Sequence, residues 1–384
     1  MQTLRVAIAH DYVTQRGGAE RVASTLAQAY PGAPLYTALY NSPTTFPEFK
    51  TLSISASLLN RVGLFRRNPQ LALPLLHFAW SLRRRIDADV VVASSSGWSH
   101  AVRVGRKTLK VVYCHNPPRW LYQRDDYLQD RSFPVRGMLR MLAPLLRTWD
   151  RKAALTADLY LANSTSVAKR IKRVYNIEAE VLHPPIALSG SGRQVAVEGL
   201  SAGFFLTVGR KRGYKGTDQL IDAFRSLPEE ELVVVGGSDL ELPPNVRVLS
   251  DISDAELRWL YRNAKAFTSV SREDFGLSPL EANSFGTPCL LVKAGGFIDS
   301  TLEGISGIFF QGASTGELVA SIRDFPEQWN EEAIIQHARH FNSDAFLLKL
   351  DNSIRGALKK KLTRQGSVLG PRSSSDTNIG IVER

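Results

Sequence analysis

The feature that most constrains the fold is a succession of buried strand, loop and helix at the start of the chain. Residues Leu4–Ala9 form a short apolar run with β-branched residues, which is typical of a buried strand. A loop with Gly17 and Gly18 follows, and Ala19–Ala27 has the apolar spacing of a helix. Such a unit presents a helix N-terminus to an anion. A glycine pair alone more often marks a turn, and the full Gly-x-Gly-x-x-Gly dinucleotide motif is absent.

The same succession begins again in the second half of the chain. Phe204–Val208 is predicted to be a strand, a basic loop runs from Gly209 to Gly216, and Leu220–Ser226 is predicted to be the next helix. Two such series predict two α/β domains with parallel sheets. Further strands are predicted at Val90–Ala93, Lys110–Cys114, Leu155–Ala162, Leu232–Val235, Val246–Leu249, Ala266–Val270, Pro288–Val292 and Ile308–Phe310, and further helices at Val167–Val174 and Asp254–Asn263.

The domain boundaries follow from the gap between the two series. The 384 residues suffice for two domains of ordinary size. We place the first at residues 1–185 and the second at 200–343, because a Pro-Pro pair and a small polar segment separate them. Residues 344–362 are predicted to form a terminal helix. The Ser-, Gly- and Pro-rich residues 366–384 are predicted to be a disordered tail.

Composition narrows the compartment and the classes of partner. The two cysteines, Cys114 and Cys289, lie far apart, which predicts a reducing compartment and no disulfide framework. No stretch reaches the roughly 20 apolar residues that span a bilayer, and the first apolar run is too short for a signal peptide. Residues 1–180 carry 26 Lys and Arg against 12 Asp and Glu, whereas the remaining residues carry 22 against 25. The basic first half predicts an anionic partner, either nucleic acid or a membrane surface.

Residues 55–86 combine arginines with many Leu, Phe and Trp residues. A basic, apolar-rich helical segment fits a membrane interface, and a pair of core helices with solvated arginines fits the same pattern. Asp87 and Asp89 then match an Asp-x-Asp pattern that binds metal in other enzymes. Carboxylates just before a strand are usually loop residues, so we expect no metal there.

The stretch Ser271–Glu281 carries Glu273 and Glu281 with a turn and a helix start between them. Ser278 is predicted to cap the helix and Pro279 to lie in its first turn, so that free N–H groups face a phosphate. Glycosidase carboxylates lie about 5–9.5 Å apart, whereas eight residues rise up to about 12 Å in a helix. The spacing therefore suits two ends of one long ligand, such as a sugar nucleotide. A capping box of Ser278 and Glu281, with Glu273 as a solvated charge, is an equal alternative.

Polar residues also follow the other predicted strands. His10 and His115 come after strands, at the edge where open α/β sheets bind ligands. A histidine there can take a proton, donate one to an oxygen or hold a loop, and we favour a functional role for His115. Arg210 and Lys215 place fixed positive charge in the loop after Phe204–Val208, which suits a diphosphate. A solvated basic loop is the alternative.

Four motifs occur in order between residues 4 and 345. They are Gly-Gly-Ala-Glu-Arg at 17–21, Cys-His-Asn-Pro-Pro-Arg at 114–119, Gly-Arg…Lys-Gly at 209–216 and Glu-Asp-Phe-Gly…Glu-Ala at 273–282. Each is weak alone, but the set resembles the retaining GT-B glycosyltransferases of family 4, group 1. The His-Asn-Pro-Pro-Arg-Trp run most resembles the bacterial mannosyltransferases that build O-antigen and exopolysaccharide. Ser271 and Asp299 depart from the proline and glutamate that many members of this family carry there.

The resemblance implies two Rossmann-like domains that face each other across a cleft, with a C-terminal helix that returns to the first domain. It also implies transfer without a metal and with retention at the anomeric carbon. By motif position, His115 would lie beside the donor sugar and Glu273 would contact its hydroxyls, which makes these two the catalytic candidates. Arg210 and Lys215 would hold the donor diphosphate.

The remaining implied positions bind other parts of the donor. Glu281 would bind the ribose hydroxyls, and Gly17 and Gly18 would line the phosphate side of the cleft. The backbone at Phe275, Gly276 and Leu277 would assist Glu273.

We therefore predict a hexosyltransferase, with mannose from GDP-mannose as the favoured donor. The expected acceptor is a polyprenyl-linked or growing bacterial surface glycan, and no metal or cofactor is expected besides the nucleotide sugar. The basic first domain is expected to dock, from the cytoplasm, on the inner face of the plasma membrane. The alternatives are a UDP- or dTDP-sugar transferase, a sugar-nucleotide epimerase and a non-catalytic GT-B-like binding protein. The absence of basic–aromatic stacking motifs argues against nucleic acid.

Overall fold

The computed structural model describes residues 4–73, 75–123, 133–209, 216–237, 240–312 and 314–368. The chain divides into two compact units. Unit 1 comprises residues 1–163, 167–182 and 347–384, and unit 2 comprises residues 164–166 and 183–346. Each unit has its own parallel sheet and its own hydrophobic core.

Unit 1 is built on a seven-stranded parallel sheet with the order β3-β2-β1-β4-β5-β6-β7. Its central strands β4 and β5 are buried along their whole length, as expected for parallel strands that are covered on both faces. The strands are β1 (Val6–Val13), β2 (Leu35–Tyr40), β3 (Ile54–Ala56), β4 (Val90–Ser95), β5 (Leu109–Cys114), β6 (Leu159–Ala162) and β7 (Glu180–Val181).

Unit 2 is built on a six-stranded parallel sheet with the order β10-β9-β8-β11-β12-β13. Successive side chains point to opposite faces, so Phe205 and Val234 enter one core while Leu206 and Val233 enter the other. The strands are β8 (Phe205–Val208), β9 (Leu232–Val235), β10 (Val246–Leu249), β11 (Ala266–Ser269), β12 (Cys289–Leu291) and β13 (Gly307–Phe309).

The helices connect and cover these strands. In chain order, the described helices are α1 (Gly18–Ala29), α2 (Gly63–Arg67), α3 (Leu76–Ser81), α4 (Arg119–Tyr122), α5 (Phe133–Ala154), α6 (Thr165–Tyr175), α7 (Thr217–Phe224), α8 (Asp254–Asn263), α9 (Leu277–Asn283), α10 (Phe297–Ser300), α11 (Thr315–Arg323), α12 (Glu331–Arg339) and α13 (Ser343–Val368).

Both sheets change direction at a defined point in the strand order. In unit 1 the chain builds outward from β1 to β3 and then restarts on the other side of β1 with β4. In unit 2 the corresponding pair is β8 and β11. Ligands of open α/β sheets bind beyond the carboxyl ends of strands at such switch points. The predicted fold of two parallel α/β domains is confirmed, and its switch points mark where to search for a site.

The C-terminal helix returns to the first domain, as predicted. From residue 347 onward its residues belong to unit 1. The Lys361 ammonium donates to the Asp158 carboxylate and to the Thr108 carbonyl oxygen, both at 2.7 Å. The Ser353 hydroxyl donates to Glu180 on the edge strand β7. The helix continues to Val368, beyond the predicted end at residue 362, and residues 369–384 of the predicted tail lie outside the described residues.

Three element predictions need correction. Residues 155–158 are not strand, because α5 ends at Ala154 and β6 begins only at Leu159. An apolar pattern that continues from helix into strand concealed this boundary. His10 lies within β1 and not in a loop after it. Several elements have no counterpart among the predicted ones, namely helices α4, α5, α10, α11 and α12 and strands β2, β3 and β7.

Residues 55–86 form short pieces and not a pair of long helices. They contain the single-turn helices Leu58–Arg61 and Pro69–Ala72 together with α2 and α3. Helix α3 buries Leu76 and Trp80 in the core of unit 1, whereas α2 has no buried residue. The segment is therefore only partly a core element.

Candidate functional site

At the switch point of unit 2, the basic loop of residues 209–216 meets the loop that follows β11. The sequence predicts a functional role for both loops. Gly209 follows β8, and its N–H donates to the Val235 carbonyl at 2.9 Å. Gly216 precedes α7 with a left-handed φ of +66°, and a Cβ there would overlap the side chain of Val270, which follows β11. Arg210 and Lys215 lie between these glycines but outside the described residues, so their role stays a prediction.

The loop after β11 holds Glu273 through a chain of hydroxyl groups. The Ser271 hydroxyl donates to Oε1 of Glu273 at 3.1 Å, and the Ser269 and Ser271 hydroxyls lie 2.9 Å apart. Both serines are buried, whereas Glu273 is partly exposed. A buried donor thus fixes the orientation of a carboxylate that remains accessible. The sequence gives no cue to this role of Ser271 beyond its place two residues before Glu273.

The Gly295-Gly296 pair determines where this loop lies. The Gly296 N–H donates to the Glu273 carbonyl at 2.9 Å. A Cβ at Gly295 would overlap that same carbonyl oxygen, and a Cβ at Gly296 would overlap the backbone of Phe275. The pair therefore makes a close backbone approach to the Glu273 loop.

The predicted cap of helix α9 is wrong. The helix begins at Leu277, and its N-cap is Gly276, which has a left-handed φ of +91° and no side-chain capping bond. Ser278 therefore lies inside the first turn. A Cβ at Gly276 would also overlap the ring of Phe297, so the backbone turn that starts the helix requires glycine.

Glu281 lies one turn into α9 and is fixed by groups outside its own helix. Its Oε2 accepts a hydrogen bond from the Tyr261 hydroxyl at 3.0 Å, and its Oε1 accepts one from the Leu188 N–H at 3.4 Å. Burial, and secondarily the nearby Glu281 charge, raises the pKa of Tyr261 well above its usual value, so this phenol remains a donor. The capping-box alternative for Glu281 is thereby excluded.

Unit 1 places His115 at its own switch point, beside His10. The Ser94 hydroxyl lies 3.0 Å from Nδ1 of His10 and 2.8 Å from Nε2 of His115. Burial, with a smaller contribution from His10, lowers the pKa of His115 to about 3. His115 is therefore neutral at physiological pH, and it can hydrogen-bond but is a very weak proton acceptor. Ser94 links the two histidines, and the sequence gives no signal for that role.

Gly17 and Gly18 lie at the start of α1, after the same switch-point strand β1. Gly17 is the N-cap, with an extended backbone (φ −146°) and no side-chain capping bond. The first N–H groups of the helix are thus not bonded by a cap side chain, which is compatible with an anion. Their contact with a phosphate stays a prediction.

Asp11 is a further residue of unit 1 that the sequence analysis missed. Its carboxylate accepts hydrogen bonds from the backbone N–H groups of Ser96, Trp98 and Ser99 at 2.6–2.7 Å. Asp11 thereby ties the loop after β4 to β1. A carboxylate inside a buried strand, which needs partners, is the signal that could have identified it.

The two carboxylates of the Asp-x-Asp pattern pair with an arginine side chain. Asp87 and Asp89 accept hydrogen bonds from the Arg5 guanidinium at 3.3–3.4 Å. Within the described ranges, no group of three or more His, Cys, Asp or Glu side chains is arranged to hold a metal ion.

Two family models match the chain, one in each half. Residues 16–189 match the model described as Glycosyltransferase Family 4, and residues 193–341 match the one described as Glycosyl transferases group 1. The chain has the GT-B fold of the family 4, group 1 glycosyltransferases.

Solved structures with this GT-B fold are similar over most of the chain. The Anabaena protein HepE, solved in complex with UDP and glucose, is 16% identical with a TM-score of 0.64, and the match covers 92% of this chain and 100% of HepE. Sucrose-phosphate synthase from Thermosynechococcus elongatus is also 16% identical, with a TM-score of 0.66 and coverage of 93% and 100%. At these identities the likeness concerns the fold alone.

Curated relatives are similar over a shorter stretch. The D-inositol 3-phosphate glycosyltransferase of Mycobacterium sp. (strain JLS) is 27% identical over 229 residues, which is 52% of this chain and 52% of that protein. The chain thus spans about half the length of the curated relatives that it matches. Among the described residues, no helix has both the length and the apolar character needed to cross a membrane.

Proposed function

We propose that this protein is a retaining glycosyltransferase that transfers a hexose from a nucleotide sugar, with unit 2 holding the donor. The observation that carries the proposal is the arrangement at the switch point of unit 2. There Gly216, at the end of the basic loop, lies against Val270 just after β11, and the loop after β11 supports Glu273 in a fixed orientation.

The two glutamates suit different ends of the donor. Glu281, held by Tyr261 and the Leu188 N–H, would accept hydrogen bonds from the ribose hydroxyls. Glu273, held by Ser271, would accept them from the sugar. A carboxylate that is already oriented loses less entropy on binding and gives charge-assisted hydrogen bonds.

The diphosphate would be bound by Arg210 and Lys215. As the bond from the anomeric carbon to the diphosphate breaks, negative charge stays on the departing nucleoside diphosphate. Fixed cations stabilise that charge in the transition state, which is the contribution that a metal makes in other transferases. The acceptor hydroxyl oxygen forms the new bond to the anomeric carbon, and its proton passes to an oxygen of the departing diphosphate.

His115 would act as a neutral hydrogen-bonding group for the donor sugar. Because its pKa is lowered, His115 cannot act as a cationic general acid or as a strong general base at neutral pH. Gly17 and Gly18 would contribute backbone N–H groups on the phosphate side. This assignment of unit 1 residues rests on motif position.

We propose mannose from GDP-mannose as the donor and a polyprenyl-linked or growing surface glycan as the acceptor, at the inner face of the plasma membrane. The support is the His-Asn-Pro-Pro-Arg-Trp run at residues 115–120, which resembles the bacterial mannosyltransferases that build O-antigen and exopolysaccharide. A UDP-sugar donor is the second candidate, because HepE was solved with UDP and glucose. A phosphorylated polyol is the second candidate acceptor, because relatives are named D-inositol 3-phosphate glycosyltransferases.

The test is a thermal-shift panel with GDP, UDP, dTDP and ADP and their sugars. Wild type is compared with Glu281→Gln and with the matched control Glu327→Gln, which changes an exposed glutamate elsewhere in unit 2. A ligand at about 100 times its Kd stabilises by about 2.7 kcal/mol, which raises the melting midpoint by several degrees. We expect a response to GDP and GDP-mannose in wild type and control that Glu281→Gln lacks. A response to UDP and UDP-sugars alone would mean that the donor is a UDP-sugar and not GDP-mannose. No response to any nucleotide would refute the proposal.

A further inference from the structure

One long stretch of unit 1 has basic residues but no acidic ones. Between Glu48 and Asp87 the sequence contains no Asp or Glu. The basic residues there are Lys50, Arg61, Arg66, Arg67, Arg83, Arg84 and Arg85. All of these except Arg83, which is partly buried, are exposed. The surface of this segment therefore carries charge of a single sign.

Large apolar side chains are exposed on the same segment. Leu58 and Leu82 are about three-quarters exposed (74% and 75%), and Leu64 is 60% exposed. Val62, Leu71, Leu75 and Phe78 are exposed to 39–45%. Single exposed leucines are ordinary, but a concentration of seven within 25 residues is not.

The short elements that carry these side chains lie together on one part of the sheet. The Leu58–Arg61 turn, α2 and α3 all contact strand β2. Helix α3 buries Leu76 and Trp80, whereas its Phe78 and the flanking Leu75 and Leu82 are exposed, so this helix with its two flanking residues is apolar on both sides. A helix that is apolar all round is normally covered on both sides.

Helix α5 extends this apolar surface. Its Trp149 ring lies 5.8 Å from Phe78 and stacks on His77 of α3 at 4.6 Å. Met141 and Leu145 lie two turns and one turn before Trp149 on the same helix face, and they are 75% and 48% exposed. Arg140, next to Met141, is exposed as well.

We propose that this face, which we call the docking face, binds the surface of an anionic lipid bilayer. It consists of the exposed apolar residues named above on residues 58–82 and on α5, with the flanking arginines. Leucine, phenylalanine and methionine side chains enter the boundary between headgroups and acyl chains, while arginines reach the lipid phosphates. The bilayer would be the membrane partner of the proposed glycosyltransferase, so the biological role of the docking face rests on the proposed function. The residues of the docking face all belong to unit 1.

Other occupants fit the surface less well. A second copy of the chain related by a two-fold axis would bring arginine-rich faces together, and like charges in contact cost binding energy. Nucleic acid would match the charge but would leave most of the aliphatic surface unused, since it is bound by cations and stacked aromatic rings. A bilayer with anionic headgroups matches both components.

The experiment is co-sedimentation of the full-length chain with vesicles of phosphatidylcholine alone and of phosphatidylcholine mixed with phosphatidylglycerol. We expect binding to the mixed vesicles that weakens with salt, and little binding to the neutral ones. The variant Arg84→Gln with Arg85→Gln removes two cations from the docking face and should lower the affinity about thirtyfold, or about fivefold per arginine. The matched control Lys169→Gln with Arg173→Gln removes two exposed cations from α6 in the same unit and should bind as wild type does.

A second variant tests the apolar component. Leu64→Ser with Leu82→Ser changes two strongly exposed side chains, so the fold should tolerate it, and it should lower vesicle affinity at least tenfold. Absent binding to the mixed vesicles, equal losses in the α6 control, or a Leu64→Ser, Leu82→Ser variant that only dissociates a dimer would each overturn the proposal. The thermal shift with nucleotides is measured on the same variants. A retained shift without vesicle binding refutes the docking face and leaves the proposed binding of the donor by unit 2 standing.

Discussion

The two units share a strand order but differ in what they place at the switch point. In unit 1 the edge between β1 and β4 is occupied by His10, Ser94 and His115, which bond to one another and are buried. In unit 2 the edge between β8 and β11 presents Glu273 and Glu281, which are partly exposed. Glu273 is held by Ser271 of its own loop, and Glu281 is held by donors from other segments. The sheet topology determines where a site can lie, and the side chains there determine whether it can bind a charged ligand with many hydroxyl groups.

The difference extends to the charge and the backbone of the units. The basic excess of the chain lies within residues 1–180, whereas the remainder is close to neutral. Unit 2 instead relies on glycines at which a side chain would overlap the neighbouring segment, including Gly216, Gly276 and Gly296. We infer that unit 1 contributes an electrostatic surface, and that unit 2 contributes a loop architecture built for close contact.

The largest expected effect comes from breaking the loop architecture of unit 2. Gly296→Ala would place a methyl group into the backbone of Asp274 and Phe275, so the Glu273 loop must move. We expect the nucleotide-dependent thermal shift to disappear and transfer to fall by more than about a hundredfold, since small displacements of positioned groups cost that much. Gly316→Ala is the control, because nothing lies within 4 Å of its added methyl. Wild-type donor binding in Gly296→Ala would show that this loop does not hold the donor.

The next prediction concerns the buried histidine of unit 1. Because the pKa of His115 is lowered to about 3 in the folded chain and is about 6.5 when unfolded, the unfolded chain binds more protons between these values. The stabilisation is complete above about pH 6.5 and is lost as the pH falls toward 3, by up to about 1.4 kcal/mol per pH unit.

Melting midpoints of wild type and His115→Asn from pH 8 to pH 4.5 measure this contribution. The midpoint of wild type should fall more steeply below pH 6.5 than that of the variant. Parallel curves would mean that His115 does not stay neutral in the fold.

A smaller effect should follow from loosening Glu273. Ser271→Ala removes the hydroxyl that donates to Glu273 Oε1 and leaves the glutamate itself in place. A hydrogen bond to a charged group contributes about 1.5–3 kcal/mol, so the rate of transfer should fall about tenfold to a hundredfold. Nucleotide binding through Glu281 should be nearly unchanged. If nucleotide binding and the transfer rate fall together, Ser271 contributes to the stability of unit 2 in general and not to the orientation of Glu273. The control is Ser189→Ala, which changes an exposed serine.

The smallest effect should come from the helix that returns to unit 1. Lys361→Met breaks the Lys361–Asp158 ion pair, in which both side chains are less than a third exposed. We expect the stability of the fold to fall by about 1 kcal/mol, as for a partly screened pair, with no change in the nucleotide-induced shift. A large loss of nucleotide binding would instead make the C-terminal helix part of the site.

The sequence was most informative where its periodicity was unbroken. Strands Leu232–Val235 and Val246–Leu249 and helix Asp254–Asn263 have their predicted bounds. The cap of α9 was not predicted, because the ring of Phe297, which leaves no room for a Cβ at Gly276, comes from another helix. The partners of Glu281 were equally hidden, since Tyr261 and Leu188 approach from other elements. Motif order singles out the candidate residues, and only the packing around them shows how they are held.

The most direct test of the central claim is hydrogen exchange of the full-length chain with and without saturating GDP-mannose, and in parallel with a UDP-sugar. If unit 2 holds the donor, the backbone amides between Val270 and Asn283 should become protected by one of the two ligands, and the same protection should be absent in Glu281→Gln. Protection confined to unit 1, or no change at residues 270–283 with either ligand, would contradict the assignment of the donor site to unit 2.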